Sequence, residues 1–310
     1  MTLLKRKRVL AAKIETTVGT PIAVAGADAS FNAWDIMIQP EIEVVGREGQ
    51  AGFGMLSSIV GGYKGKATFK TDCGWDASIT EPSWADTFLP ACGLVKSGGN
   101  QFYPTTEAPG TNVKTLTIYC YQDGMIKGLS GAVGTFKMVC PTGKMAYIEW
   151  DFMGVWIPPT DGSLLAPTYP TALPLRYASS TTTFNSIALC VSNITLDCGN
   201  EIMMRECAST VGGYHSAIIT GRNPKVTADP EAKLVATRDS YGNFLASAEA
   251  ALTWNLDAIA ASLLTVTAPK AQIVKITEAD RSKLVTDAME FQLNRNASTA
   301  DQEFSILFTP

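Results

Sequence analysis

Strict alternation of apolar and polar residues runs through most of this 310-residue chain and limits what it can fold into. In the stretch KMAYIEWDFMG, Ile148, Trp150 and Phe152 share one face of an extended strand, while Glu149 and Asp151 share the other. A period of two is typical of a strand with one buried and one solvated face. Similar stretches at 41–45, 66–72, 114–122, 134–140, 186–199, 225–232, 272–277, 287–295 and 304–310 predict a mainly β protein.

Two stretches depart from this alternation and predict one short α-helix in each half of the chain. In EPSWADTFLPACG the predicted helix follows Ser83 as its N-cap, and in TRDSYGNFLASAEAA it follows Asp239 or Ser240. Their apolar stripes are Trp84, Phe88 and Leu89 in the first, and Tyr241, Phe244, Leu245 and Ala248 in the second.

A short phrase occurs twice, as IVGGYKG at residues 59–65 and as TVGGYHS at 210–216. Around both copies the predicted strands and helix follow in the same order, which favours a duplicated domain. We therefore expect two tandem β-sandwich or β-barrel domains, residues 1–156 and 186–310, each with one flanking helix. The alternative is that two unrelated β domains share this coarse order of elements.

Between the halves lies a stretch rich in proline, residues 157–185, followed by a run of serine and threonine. Proline removes a ladder donor and fixes an extended path, so this density predicts a linker or an arm on a neighbour. The prolines are Pro158, Pro159, Pro167, Pro170 and Pro174.

The charge balance argues against a protein that holds nucleic acid. The formal net charge is −4, and only 17% of residues are charged while 46% are hydrophobic. Such a chain does not favour a polyanion, and its low charge indicates partner surfaces. The basic run Lys5–Arg8 is expected to be a solvated arm. No apolar stretch reads as a signal peptide or a membrane span, so no membrane partner is expected.

Catalytic and metal-binding patterns are weak throughout, so we expect no enzyme, no metal and no cofactor. The chain has one histidine, His215, and seven scattered cysteines without a C-x-x-C pair, which predict buried thiols. GLSGA at 128–132 lacks the last glycine of a nucleophile elbow. Glu149 and Asp151 could form an acid/base pair, but acidic residues two apart on a strand are typical of its solvated side.

Two loops are apolar where a water-exposed loop would be polar. The first, GREGQAGFGMLSSIVGGYKG, carries Phe53, Met55 and Leu56, and the second, GNEIMMRECASTVGGY, carries Ile202, Met203 and Met204. Apolar residues in such loops predict contact with a partner surface. The alternative is a hairpin that folds back onto its own sheet.

Several of these stretches together bring the chain close to a known family. KRKRVLAAKIETTVGTP, IQPEIEVVGREGQ with the glycine-rich loop and GKATFKTD, WADTFLPACGL, TLTIYCYQDGMIKGLSGAVGTFKM and LDCGNEIMMREC resemble the major tail tube proteins of long-tailed, siphophage-like bacteriophages. The resemblance covers nearly the whole chain. Its most particular features are the opening VLAAKIET and the LD-x-GNE stretch at residues 196–201.

The resemblance implies a structural virion protein. Strands from neighbouring subunits would join into a barrel around a lumen, and loops of one ring would grip the next. The implied partners are further copies of the chain, the tape-measure, tail-terminator and distal tail proteins, and genomic DNA in passage without specific binding. The implied location is the phage tail, assembled in the host cytoplasm.

Within this expectation, the inter-ring contacts are Phe53, Met55, Leu56, Ile202, Met203 and Met204, and the lumen residues are Glu149 and Asp151. A duplicated domain predicts three chains in a pseudo-sixfold ring, and a single domain predicts six chains. Two other classes stay open. A capsid decoration protein would stop at closed trimers, and a carbohydrate-binding or hydrolytic β protein would need a concave aromatic site.

Overall fold

The computed structural model of the chain describes residues 3–74, 82–106, 113–257, 263–296 and 301–309. The protein is mainly β, as the alternation predicts. The strands are β1 (Arg8–Ile14), β2 (Ala33–Glu48), β3 (Met55–Asp72), β4 (Leu94–Ser97), β5 (Gln101–Pro104), β6 (Leu116–Gln122), β7 (Met125–Pro141), β8 (Tyr147–Asp161), β9 (Thr182–Phe184), β10 (Ile187–Ala188), β11 (Asn193–Asp197), β12 (Asn200–Glu206), β13 (Tyr214–Arg222), β14 (Lys225–Ala228), β15 (Glu249–Asp257), β16 (Leu263–Arg281), β17 (Leu284–Leu293) and β18 (Ser305–Thr309). The helices are α1 (Ser83–Ala91) and α2 (Ser240–Leu245), with a 3₁₀ turn at Gly26–Ala29.

Most of the described strands belong to one antiparallel sheet. Its main path has the order β10-β9-β15-β16-β17-β14-β11-β7-β8-β3-β2, with β6 beside β7, while β12 and β13 form a separate hairpin. The sheet continues from one predicted domain into the other, so the tandem arrangement stays a prediction.

Each half of the chain has the same neighbour order within this sheet. The first half reads β6-β7-β8-β3-β2, and the second reads β15-β16-β17-β14-β11. The halves meet where β11 pairs with β7, from Asn193 opposite Pro141 to Asp197 opposite Lys137. A strand of the second half therefore extends the sheet of the first.

One face of the first half's sheet is buried beneath α1. The ring centroid of Phe88 on this helix lies 5.0 Å from that of Phe69 on β3 and 5.1 Å from that of Trp150 on β8. Phe152 stacks on Phe69 with centroids 5.9 Å apart. Because Trp150 and Phe152 are buried while Glu149 faces outward, the predicted faces of this strand are confirmed.

Both helices lie where the sequence predicts them, but two details differ. Pro82 stands at the N-cap of α1 without a side-chain bond, and the Ser83 hydroxyl donates to the Ser30 carbonyl instead, so the predicted Ser83 cap is wrong. In α2, Asp239 caps the helix by accepting from the Gly242 N–H at 2.7 Å. Its apolar stripe is not buried, since Leu245 is 84% exposed.

The predicted linker at 157–185 contains strand at both of its ends. Strand β8 continues to Asp161, and β9 pairs with β15. Between 162 and 174 the described backbone has no helix or strand, which agrees with its prolines.

The cysteines behave mostly as the sequence predicts. Seven are free, and five of them are buried. Burial raises the pKa of the Cys140 thiol to about 12, so this thiol stays protonated and packs as a small apolar group. The five buried cysteines are Cys73, Cys92, Cys120, Cys140 and Cys198.

A buried carboxylate fastens the end of β1 to the rest of the first half. Glu15 accepts hydrogen bonds from the Gly19 N–H at 2.8 Å and the Gly131 N–H at 2.7 Å. It also accepts from the Thr115 and Thr117 hydroxyls, at 2.7 and 2.9 Å. Gly19 has φ +75, and Gly131, at an irregularity within β7, has φ +56, so both take the left-handed conformation that favours glycine.

Replacing this carboxylate should destabilise the fold. We expect Glu15→Ala to lower the free energy of unfolding by about 3 kcal/mol, because four donors lose their acceptor in a buried site. Glu15→Gln keeps one acceptor oxygen and should cost about half as much. Urea denaturation followed by tryptophan fluorescence measures both. The exposed Glu43→Ala is the control, and an equal cost for Glu15→Ala and Glu43→Ala would contradict the clamp.

Candidate assembly surfaces

The open face of the sheet carries Glu149 and Asp151, and each is paired with a lysine of β3. The Lys70 ammonium lies 3.0 Å from the Glu149 carboxylate, and the Lys66 ammonium lies 2.7 Å from the Asp151 carboxylate. The hydrogen bond to Glu149 raises the pKa of Lys70. The sequence predicts the position of the two acids but not their partners, which lie about 80 residues earlier in the chain.

The same pairing continues along the face into the second half. Lys137 on β7 lies 2.9 Å from Asp197 on β11, and Lys225 on β14 lies 2.7 Å from Glu290 on β17. The hydrogen bond to Asp197 raises the pKa of Lys137. This polar face is therefore a ladder of opposite charges, and not the acidic surface that Glu149 and Asp151 suggest when taken alone.

Beyond the sheet, β2 and β3 continue as a two-stranded ribbon, the arm, covering residues 42–63. Only Lys64–Asp72 of β3 pairs with β8, while β2 and β3 stay paired out to Glu48 opposite Met55. At about 3.3 Å per residue, the part of β3 from Tyr63 to Met55 extends roughly 26 Å.

The arm exposes many apolar side chains beside a few charged ones. Phe53, Met55 and Leu56 are all exposed, as the partner-contact prediction requires. Further along the arm the exposed apolar residues are Ile42, Val44, Val45, Ile59 and Val60. A two-stranded ribbon is at best marginally stable alone, and this much apolar surface is typical of an interaction site.

The second apolar stretch, by contrast, folds back onto the sheet. Residues 200–206 form strand β12, which pairs with β13. Met204 is 8% exposed and packs with Val133 of β7, and Ile202 is partly buried in the same cluster, while Met203 is 55% exposed. The structure thus favours the fold-back alternative for Ile202 and Met204, leaving Met203 as the outward residue.

The repeated GGY sequences contact one another. The Tyr63 N–H donates to the Gly212 carbonyl at 3.1 Å. A β-carbon on Gly62 would stand 2.7 Å from the Tyr214 ring, and one on Gly212 would stand 3.0 Å from the Tyr63 ring. The glycines of each copy thus make room for the tyrosine of the other, at the base of the arm.

Several strand edges carry no strand partner among the described residues, those of β1, β4 and β10 among them, and two further stretches belong to long strands of the main sheet. The outer edge of β2 is one, since β2 pairs only with β3. The other is β16 beyond Gln272, where β15 ends and only β17 on the opposite edge continues the pairing. Sequence patterns predict neither edge, because whether a strand edge is paired depends on strands that are distant in the chain.

The histidine and two of the tryptophans take structural positions in the described chain. His215 is partly buried, and its Nδ1 lies 3.4 Å from the Ser216 hydroxyl of the same hairpin. Trp150 and Trp156 are buried in the core and do not form an exposed aromatic surface.

A cavity of about 530 Å³ beside β13 contains Arg222. Its guanidinium is paired with Asp301 and Glu303, both at 2.9 Å.

Two features are absent from the residues that the structure describes. No cluster of three or more histidine, cysteine, aspartate or glutamate side chains suited to a metal ion occurs among them. Nor, in the same ranges, is any helix long and apolar enough to cross a membrane. Comparison with known proteins finds no matching family model and no matching curated protein.

The two neighbouring methionines of β12 provide a matched test of the hairpin packing. Met204→Ser should lower the free energy of unfolding by about 2 kcal/mol, because it removes buried apolar contacts with Val133. Met203→Ser should change it by less than about 0.5 kcal/mol, because that side chain is exposed. Thermal unfolding by circular dichroism compares them, and equal losses would mean that the hairpin does not rest on β7.

Proposed function

We propose that the chain is a structural virion protein that assembles into stacked rings forming a phage tail tube, the conduit through which the genome leaves. The observation that carries this proposal is the repeated strand order, with one half joined to the other edge to edge. A protein that extends its own sheet in this way has the means to extend it across subunits. Closing such a sheet into a ring would remove the edges that otherwise invite aggregation.

The repeated order also supports a duplicated domain, with the halves at 1–156 and 186–310 and the proline-rich segment between them. Three chains would then give a ring with six similar domains. Six chains per ring would mean that the likeness of the halves has no role in assembly.

The open polar face supports a lumen role for Glu149 and Asp151. The opposite face of β8 is buried in the core, so the outward face alone can meet a channel. On it each carboxylate is balanced by a lysine, Lys70 or Lys66. A face without net positive charge would not hold the phosphate backbone by releasing counterions, which suits DNA in passage.

The exposed arm supports stacking of rings. Its apolar residues, with Phe53, Met55 and Leu56 near the tip, would bury themselves against the next ring. The partners in this assembly are further copies of the chain, followed by tape-measure, tail-terminator and distal tail proteins. The assembled protein would reside in the virion, after assembly in the host cytoplasm.

Shortening the arm should stop tube growth. Deletion of residues 50–58 joins Gly49 to Ile59 and keeps Val45 opposite Ile59, so we expect a folded chain that forms no tubes. The length-preserving triple variant Phe53→Ser, Met55→Ser, Leu56→Ser should fail equally, because apolar burial drives the contact. Negative-stain electron microscopy of concentrated protein detects tubes, and native mass spectrometry counts the chains in each ring.

The matched control retains apolar residues at the same positions, as Phe53→Leu, Met55→Leu, Leu56→Met, and should still form tubes. Normal tubes from the deletion variant would contradict the stacking role of the arm. Closed trimers of the wild-type chain that never stack would instead point to a capsid decoration protein.

Reversing the two lumen acids should slow DNA ejection. Glu149→Lys with Asp151→Lys leaves four lysines together with only Asp35 beside Lys70, and we expect roughly tenfold slower ejection from phage with tails of normal length. A matched control exchanges the partners, as Glu149→Lys with Lys70→Glu and Asp151→Lys with Lys66→Asp. This control retains the ion pairs and should eject normally. Unchanged ejection with both lysines would place the face outside the lumen.

A further inference from the structure

The pairing of β11 with β7, the internal joint, is a template for pairing between chains. Strand β11 pairs with β7 through five consecutive residue pairs and the Lys137–Asp197 ion pair. Asn200 then secures the joint, since its side-chain amide donates to the Gly134 carbonyl at 2.8 Å and to the Cys92 carbonyl at 2.7 Å. Here an edge strand of one half finds its partner on the other half.

The strand registers show which edges correspond to these two. In the first half Trp150 lies opposite Phe69 on one side and Phe136 on the other. In the second half Phe291 lies opposite Val226 and Ile273. These matching rows align β8 with β17, β3 with β14 and β7 with β16.

The same rows then align β2 with β11. Each is the outermost strand of its half, next to β3 and β14 respectively. Asp197 lies opposite Lys225, and Met37 lies opposite Thr68, which is the equivalent of Lys225 by its distance from the aromatic row. The edges that correspond to the internal joint are therefore β2 and the end of β16, and both lack a strand partner among the described residues.

We propose that β2 of one chain pairs antiparallel with β16 of a second copy, in the register set by the internal joint. Met37 then lies opposite Lys275, Trp34 opposite Thr277 and Ala33 opposite Glu278. This rests on the proposed function only in taking the two halves as equivalent, and it names the surface through which a ring closes.

The side chains of both edges suit this pairing. Ile36 of β2 is buried on the core side, and Ile276 of β16 packs partly against the core, so together they continue the row formed by Leu196 and Met138 at the internal joint. Lys275 is exposed and has no ion-pair partner among the described residues.

On the β2 side, Asp35 takes a positive φ of +51 within an irregularity of the strand. Its carboxylate is mostly exposed and lies 3.8 Å from the Lys70 ammonium. In the proposed joint Asp35 would lie diagonal to Lys275, two residues from Met37, which holds the position that Asp197 has opposite Lys137. The Arg8 guanidinium donates to the Ile36 carbonyl, so it lies beside this part of β2.

Each chain carries one copy of each edge, so the contact is head-to-tail. Such heterologous contacts generate rings when the rotation closes. A chain that uses both edges leaves neither of them exposed, which removes the hazard of uncontrolled strand addition.

Cysteine cross-linking tests the register. In a Cys190→Ser, Cys207→Ser background, the pair Met37→Cys with Lys275→Cys should give covalent multimers on a non-reducing gel, ending at three chains if the ring closes. The offset pair Met37→Cys with Thr277→Cys should cross-link at least about fivefold less, because diagonal neighbours stand too far apart for a disulfide.

Charge exchange tests the same contact without a covalent bond. Met37→Lys faces Lys275 and should weaken association about tenfold in analytical ultracentrifugation, since like charges directly opposite repel. Adding Lys275→Asp should restore association, whereas adding Lys283→Asp, beyond the end of β16, should not.

The outcomes separate this pairing from the tube proposal. Stacked rings that cross-link best through the offset pair, or that ignore the charge exchange, would overturn the pairing and leave the tube proposal intact. A chain that keeps its wild-type circular dichroism and stays monomeric at every concentration would overturn both.

Discussion

The pairing of β11 with β7 is the constraint on which the architecture depends, because it turns two similar sets of strands into one sheet. Its geometry explains residues that alternation alone leaves unexplained. Gly199 has φ +62, and a β-carbon there would stand 2.2 Å from the Asn223 carbonyl oxygen, so only glycine turns the chain from β11 into β12. Asn200 follows at once and closes the joint through two carbonyls of the first half. The stretch LDCGN thus both joins the two halves of the sheet and turns the chain into β12.

The two halves share a strand order but bury their inner faces differently. In the first, α1 packs Phe88 into the aromatic row, whereas α2 leaves Tyr241 and Leu245 largely exposed. The last strand contributes to both halves, because β18 pairs with β16 on one side and with β5 on the other. In the second half, burial of the aromatic row comes from a strand instead, since the ring centroid of Phe184 on β9 lies 5.1 Å from that of Phe291 on β17.

Sequence patterns predict what is local and miss what is distant. The alternation in β8 gave its buried and open faces because the strand period is a property of a few neighbouring residues. The sequence predicts a loop where β12 lies, because EIMM breaks that period. It also predicts the cap of α1 at Ser83, one residue late, because Pro82 with its fixed φ stands at the N-cap. Strand pairing across the chain brings the lysines beside Glu149 and Asp151 and sets the register of β11 on β7. Local sequence patterns do not encode this pairing.

The two hairpins show why similar apolar stretches end in different places. The β12–β13 hairpin rests on Val133, Met153 and neighbouring residues of the first half, so its inner apolar residues are buried within the chain. In the second half, the positions that match Met153 and Val155 by the aromatic row are Asn294 and Asn296, which present amides. An arm from a neighbouring chain would therefore meet no apolar surface there equivalent to Met153 and Val155. In the proposed assembly, the longer β2–β3 arm would then bury its apolar surface against the next ring and not within its own.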